Sequence, residues 1–249
     1  MTPPPAPTTA KAAPAASPAE GLTLAGVSHV VAGERVLHDV SLAASPGEVV
    51  AVVGPSGSGK TTLLAIAGGL LRPTAGSVLV GGRDLAAAPE RERARMRARD
   101  VAFVFQGANL APFLTSKRLV ALNARLAGRP AAEAAAETGA LLAAVGLERR
   151  AGARPGTLSG GERQRLAVAA ALAKRPRVLL ADEPTAALDS ERGREVMELL
   201  GGLARERGAT VLLSTHDERL LDLADRVLRL RDGRLAETAV APPRPVGDG

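Results

Sequence analysis

The sequence predicts an α/β fold: a mostly parallel sheet, an antiparallel β subdomain on its N-terminal side and an inserted α-helical subdomain. Three observations carry this expectation. Short β-branched runs alternate with longer Ala/Leu/Arg segments, the rhythm of strand and helix in an α/β sheet. Three of the five strand-like runs are nearly continuous in apolar residues, as strands covered on both faces must be. Two regions, 22–50 and 107–157, break the alternation.

Taken in order, residues 1–20 ("MTPPPAPTTAKAAPAASPAE") are biased to Pro, Ala and Thr and bury too little to offset chain entropy. They are expected to be a disordered tail. They also lack the apolar core of a secretory signal. "LTLAGVSHVV" and "ERVLHDVSLAASPGE" read as short antiparallel strands with turns. "EVVAVV" (48–53), "VAFVF" (101–105), "VLLAD" (178–182), "TVLLST" (210–215) and "RVLRL" (226–230) read as strands. Stretches 59–71, 161–175, 190–207 and 217–224 read as helices. Residues 107–157 contain Ala/Leu/Arg segments broken at "AGRPA" and "ARPGT", which suggests the helical insertion. One domain over 21–240 is expected, followed by a disordered tail at 241–249.

Composition narrows the function classes. The chain has no cysteine, so disulfide frameworks and thiolate metal sites are excluded. The core must be aliphatic, because there are three Phe and no Tyr or Trp. The formal charge is +6, with 28 Arg and 4 Lys. These cations are interleaved with Glu and Asp, as in "PERERARMRARD", a pattern of solvated helix faces rather than of a nucleic-acid surface. No nucleic-acid partner is expected. No apolar run approaches the roughly 20 residues that span a bilayer.

The chemistry begins at "GPSGSGKTT", directly after an apolar strand and before a helix. This is the spacing of a phosphate cradle, the P-loop, and it makes the expected parallel sheet the core of a P-loop nucleotide hydrolase. Glycines at 54, 57 and 59 let the main chain turn N–H groups inward around an anion, with Pro55, Ser56 and Ser58 between them. The helix that follows aims its positive end at the same anion. Lys60 is expected to reach the β- and γ-phosphates, Thr61 to hold Mg²⁺ and Thr62 to complete the cradle. Downstream, "VLLADE" brings Asp182 and Glu183 to the end of a core strand. Asp182 is expected to hold Mg²⁺ through water, and Glu183 to orient or deprotonate the attacking water. The expected ligands are therefore a nucleoside triphosphate and Mg²⁺.

"LSGGERQR" (158–165) lies between the cradle and the acidic pair. With it the chain resembles the ATPase subunits of ATP-binding cassette (ABC) transporters from about Leu22 to Glu237. Six motifs stand in that family's order: the cradle, "FVFQ" ending in Gln106, "LSGGE", "VLLADEPT", "ALD" (187–189) and "STHD" with His216. The resemblance implies two such domains packed head to tail around two ATP molecules. Ser159, Gly160, Gly161 and the adjoining Glu162 would then serve the partner's ATP. It further implies that Gln106 touches Mg²⁺ and the attacking water, that His216 contacts the γ-phosphate, and that Asp189 crosses the dimer interface. "FQGANLAPFLTSKRLVALNARLAG" resembles the lipoprotein-release and macrolide-export branch.

Two departures stand out. Where the family stacks adenine on an aromatic ring, the first hairpin of this chain has Val31. That predicts weaker ATP binding or looser base preference, unless His29 substitutes. After "FLT" the usual acidic-Asn-Val stretch is replaced by "SKRLVAL", which bears on partner docking. The resemblance implies a homodimeric or paired ATPase that powers a separately encoded integral-membrane permease, an exporter, from the cytoplasmic face. The alternative is a non-transport ABC ATPase that transmits force or assembly signals to a cell-envelope complex.

Overall fold

The computed structural model describes residues 20–186 and 188–240. The tails expected at 1–20 and 241–249 lie outside the described residues apart from Glu20, as does Ala187 of the "ALD" motif. The chain opens with a hairpin of β1 (Leu22–Val31) and β2 (Glu34–Ala44). Its two-residue turn, Ala32 and Gly33, has positive φ at both positions, which matches the right-handed twist of the flanking strands. β3 (Val49–Val53) then leads through a glycine-rich loop into α1 (Lys60–Ala67). β4 (Ala75–Val80) returns to pair with β1, and β5 (Arg83–Asp84) pairs with β4, completing an antiparallel sheet in the order β2-β1-β4-β5.

α2 (Glu90–Asp100) feeds β6 (Val101–Val104). α3 (Ser116–Leu126) and α4 (Ala131–Ala144) follow, separated at Gly128 and Pro130. Short 3₁₀ turns at Glu148–Arg150 and Pro155–Thr157 lead into α5 (Gly160–Leu172). β7 (Val178–Asp182), α6 (Ser190–Arg207), β8 (Thr210–Ser214), β9 (Arg226–Arg231) and β10 (Arg234–Val240) complete the described chain. The second sheet runs β10-β9-β3-β8-β7-β6 and is parallel except for its edge strand β10.

The apolar strands of this sheet alternate between two cores. Val49, Ala51, Leu179, Ala181, Val211 and Leu213 pack on one face with α5 and α6. Val50, Val52, Val178, Leu180 and Leu212 pack on the other with α1 and the antiparallel sheet. Each Val or Leu removed from water in this way contributes about 1.5–3 kcal/mol. Two-faced burial explains why the strands read as unbroken apolar runs.

Three expectations differ from the fold. The first hairpin has strands of 10 and 11 residues rather than short ones. Register shifts interrupt β1 against both of its neighbours, with Gly26 and Asp39 at positive φ, so bulges imitate turns in the sequence. The helix expected at 217–224 is a 3₁₀ helix, Glu218–Leu223. Six residues between the Asp217 cap and the approach to β9 leave no length to propagate an α-helix, and Leu220 alone is buried from it. β4, β5 and β10 are further strands, all antiparallel and at or near sheet edges.

Candidate functional site

At the carboxyl ends of β3, β7 and β8, polar residues replace aliphatic ones. The loop after β3 turns through Gly57 (φ +80) and Gly59 (φ +102), angles that side chains rarely adopt. Gly54 serves a different purpose. A Cβ there would lie 2.1 Å from the Leu230 carbonyl oxygen, so only glycine lets the loop pass β9. Lys60 Nζ crosses the loop and donates to the Gly54 carbonyl (2.8 Å) and the Pro55 carbonyl (3.0 Å). Ser58 is buried behind the loop, where its carbonyl accepts from Gly233 N–H at 3.1 Å. α1 has no side-chain cap and no acidic residue in its first turn. The positive end of its dipole is thus left to an external anion.

A cavity of about 430 Å³ opens at this end. Ser56, Gly57, Gly59, Lys60, Thr61 and Thr62 line one side, with Gln106, Asp182, Glu183, His216 and Val36 completing it. Asp182 closes β7 directly opposite Ser214, which closes β8. The fully buried Ser214 hydroxyl donates to Asp182 Oδ1 (2.6 Å) and accepts from Glu183 N–H (3.0 Å). Glu183 N–H also donates to the Ser214 carbonyl at 3.2 Å. These bonds hold Glu183 at φ +48, a left-handed conformation costing about 1–3 kcal/mol for a non-glycine residue. Glu183 Oε2 lies 2.7 Å from His216 Nδ1, and an ionised carboxylate can only accept there.

The donor set suits a hard cation. Among the described residues no three His, Cys, Asp or Glu side chains converge on a metal position. A metal in the cavity would take the Thr61 hydroxyl, Asp182 and the Gln106 amide, with water and ligand oxygens for the rest. That sparse oxygen shell fits Mg²⁺, which keeps several waters.

Ser159, Gly160, Gly161 and Glu162 do not line this cavity. They form the start of α5, where Ser159 Oγ accepts from Glu162 N–H (3.2 Å) and Glu162 Oε2 accepts from Ser159 N–H (2.8 Å). This reciprocal capping box fixes the helix end. The Ser159 N–H bond, aided by Arg150, holds the Glu162 carboxyl below its ordinary range. Asp189 caps α6 through Arg192 N–H (3.0 Å) and is exposed. A Cβ on Gly161 would lie 3.2 Å from Leu188, so the 188–189 segment abuts the start of α5.

Val31 is half exposed at the hairpin tip and does not line the cavity; Val36, across the turn, does. None of the three phenylalanines lines it either: Phe103 and Phe105 stack on one another at 5.3 Å, and Phe113 is exposed. His29 sits on β1, with its Nδ1 buried and without a hydrogen-bond partner.

Three residues that contribute to the site were not singled out by sequence reasoning, Val36 in the lining among them. Ser214 carries both carboxylate-bearing residues, and its signal was a hydroxyl ending an apolar run. Gln164, buried on α5, reaches the Phe105 carbonyl at 3.4 Å and thereby ties the start of α5 to the Gln106 segment.

Known proteins share this chain's sequence and fold. The family model described as ABC transporter matches residues 37–186. The lipoprotein-releasing system ATP-binding protein LolD of Ruegeria sp. (strain TM1040) is 48% identical over 214 residues, covering 86% of this chain and 93% of that protein. The macrolide export ATP-binding/permease protein MacB of Azoarcus sp. (strain BH72) is 45% identical over 211 residues, but the chain spans only 31% of its length. The dimeric post-hydrolysis structure of the ATP-binding cassette MJ0796 bound to ADP and Pi matches with a TM-score of 0.81 and 36% identity, covering 89% of this chain and 99% of that one.

Proposed function

The chain belongs to the ABC transporter family, and on that premise we propose that it is the ATP-hydrolysing subunit of a membrane exporter, working as one half of a head-to-tail dimer. One observation carries the reading. The cavity gathers a phosphate cradle, two carboxylates and a histidine, while the capped start of α5 lies outside its lining. A site completed by a second copy accounts for both halves.

In this reading Lys60 and the N–H groups of the 57–62 loop hold the β- and γ-phosphates, replacing the carbonyl contacts that Lys60 now makes. Thr61, Asp182 and Gln106 hold Mg²⁺, which neutralises developing charge on the phosphates when bound. Glu183 keeps one oxygen on His216 and has the other free to take a proton from water. Ser214 keeps the two carboxylate-bearing residues at fixed separation. Ser159, Gly160 and Gly161 present a helix N-terminus to the γ-phosphate across the dimer. Asp189, on the segment packed against that helix, lies at the same interface. With Val31 in place of a ring, that position offers the base no aromatic stack.

No helix among the described residues is long and apolar enough to cross a membrane. The likeness to LolD supports partnership with a separate permease, and in this reading the chain works at the cytoplasmic face, where ATP is available. Pull-down of the Glu183→Gln chain from detergent-solubilised membranes with ATP and Mg²⁺ tests this. One dominant polytopic membrane protein is the expected result. Recovery of soluble proteins alone, while a known permease pair survives the same detergent, would replace transport with envelope assembly.

A further inference from the structure

The amino ends of β6, β7 and β8 open on a cleft of about 570 Å³, at the opposite edge of the sheet from the cradle. Its cations are Arg99, Arg129, Lys174, Arg175, Arg177 and Arg207. The acids facing them are Asp100 and Glu133 in the lining and Glu137 behind it, which leaves three positive charges in excess.

These cations fall into a floor and a rim. On the floor, Arg129 donates to Glu137 and to the Ala173 carbonyl, and Arg207 pairs with Glu137 at 2.6 Å. Lys174 donates to the main-chain carbonyls of Arg97 and Val101 and forms no ion pair among the described residues. Its burial pushes it down to about 8, with Asp100 opposing. On the rim, Arg175 shares the already paired Glu137 at 3.2 Å. Arg177 reaches Asp100 only at 3.6 Å, and Asp100 is already held by Arg83. Arg99 is exposed at the end of α2 and makes no ion pair among the described residues. A plain structural role, closing the end of α5 and neutralising Glu137, accounts for the floor. It leaves Arg99 without an ion pair among the described residues, and Arg175 and Arg177 only sharing carboxylates that other arginines already hold.

We propose that this cleft is a second anion site, separate from the nucleotide cavity, that binds a diphosphate-bearing ligand. Guanidinium forks match phosphate oxygens two at a time. The excess of three charges suits a diphosphate better than a single carboxylate. The volume falls in the range of small-ligand sites, about 300–1,000 Å³.

The test is calorimetric titration of the full chain with pyrophosphate in Mg²⁺-free buffer. The chain carries Lys60→Ala so that the cradle contributes little, and is compared with the same chain bearing Arg99→Ala and Arg175→Ala. Saturable binding, weakened at least tenfold by the two rim changes and weakened also by Arg177→Ala alone, is expected. No binding, or equal binding in both chains, overturns the proposal, and thermal unfolding checks that the variants stay folded. Flotation with phosphatidylcholine vesicles carrying a polyprenyl diphosphate, against phosphatidylcholine vesicles alone, identifies the source. Rim-dependent flotation assigns the cleft to a lipid headgroup, and pyrophosphate binding without flotation assigns it to a soluble ligand.

Discussion

The two edges of the parallel sheet are reached by the same strands and yet hold opposite chemistry. At the carboxyl edge, β7 and β8 end in Asp182 and Ser214, and the next residue, Glu183, sits in a left-handed conformation. At the amino edge, the same strands begin beside Lys174, Arg177 and Arg207, whose bonds go to carboxylates and helix-end carbonyls. One edge spends stability on placing reactive groups; the other adds it through caps and ion pairs. Changes at the carboxyl edge should therefore alter turnover with little effect on folding, and changes at the amino edge should do the reverse.

The largest effect expected is that of Glu183→Gln. Removing the proposed general base should lower ATP turnover about 10²–10⁴-fold while nucleotide binding persists, as read by phosphate release alongside ATP titration. Ser214→Ala removes the donor to Asp182 and an acceptor of Glu183 N–H. It should lower kcat by about 1–3 kcal/mol of barrier while leaving KM nearly unchanged, and equal kcat in both proteins would show that the two carboxylates hold themselves. Val31→Tyr should tighten ATP by about 1–3 kcal/mol, the scale of base–aromatic stacking. It should also widen the gap between ATP and GTP, as competition binding would reveal.

The smallest effect belongs to the amino edge. Lys174 is held at about 8 in the fold against 10.5 for a free lysine, so its folded state binds fewer protons once pH exceeds 8. The unfolded chain then holds a proton that the folded chain lacks, and stability rises with pH from about 8 toward 10.5. The gain between pH 8 and 9 should be about 1 kcal/mol. With no tyrosine or cysteine in the chain, little else titrates there. Denaturant midpoints should climb in the native protein and stay flat in Lys174→Met, with ATP turnover tracking neither.

The same contrast explains what was legible in the sequence. The cradle and the acidic pair were readable because phosphate chemistry demands glycines, a lysine and carboxylates at fixed offsets from a strand. The central strands were readable because two-faced burial makes them uniformly apolar. β4, β5 and β10 were not, since edge pairing imposes no such pattern and Gly76, Gly81 and Gly82 obscure β4. Ser214 and Gln164 escaped because their roles depend on register across neighbouring elements, which no single stretch encodes. The amino-edge cleft is assembled from α2, the start of α4, the end of α5 and the end of α6. Its arginines looked in sequence like ordinary solvated faces.

The central claim is that one chain holds the cradle and a second copy supplies the start of α5. Sedimentation velocity of the Glu183→Gln chain, with and without ATP and Mg²⁺, tests it most directly. A monomer that becomes a dimer in ATP is expected, and adding Ser159→Arg should abolish the dimer while ATP binding remains. A Glu183→Gln chain still monomeric in saturating ATP, or a dimer indifferent to Ser159→Arg, would contradict it.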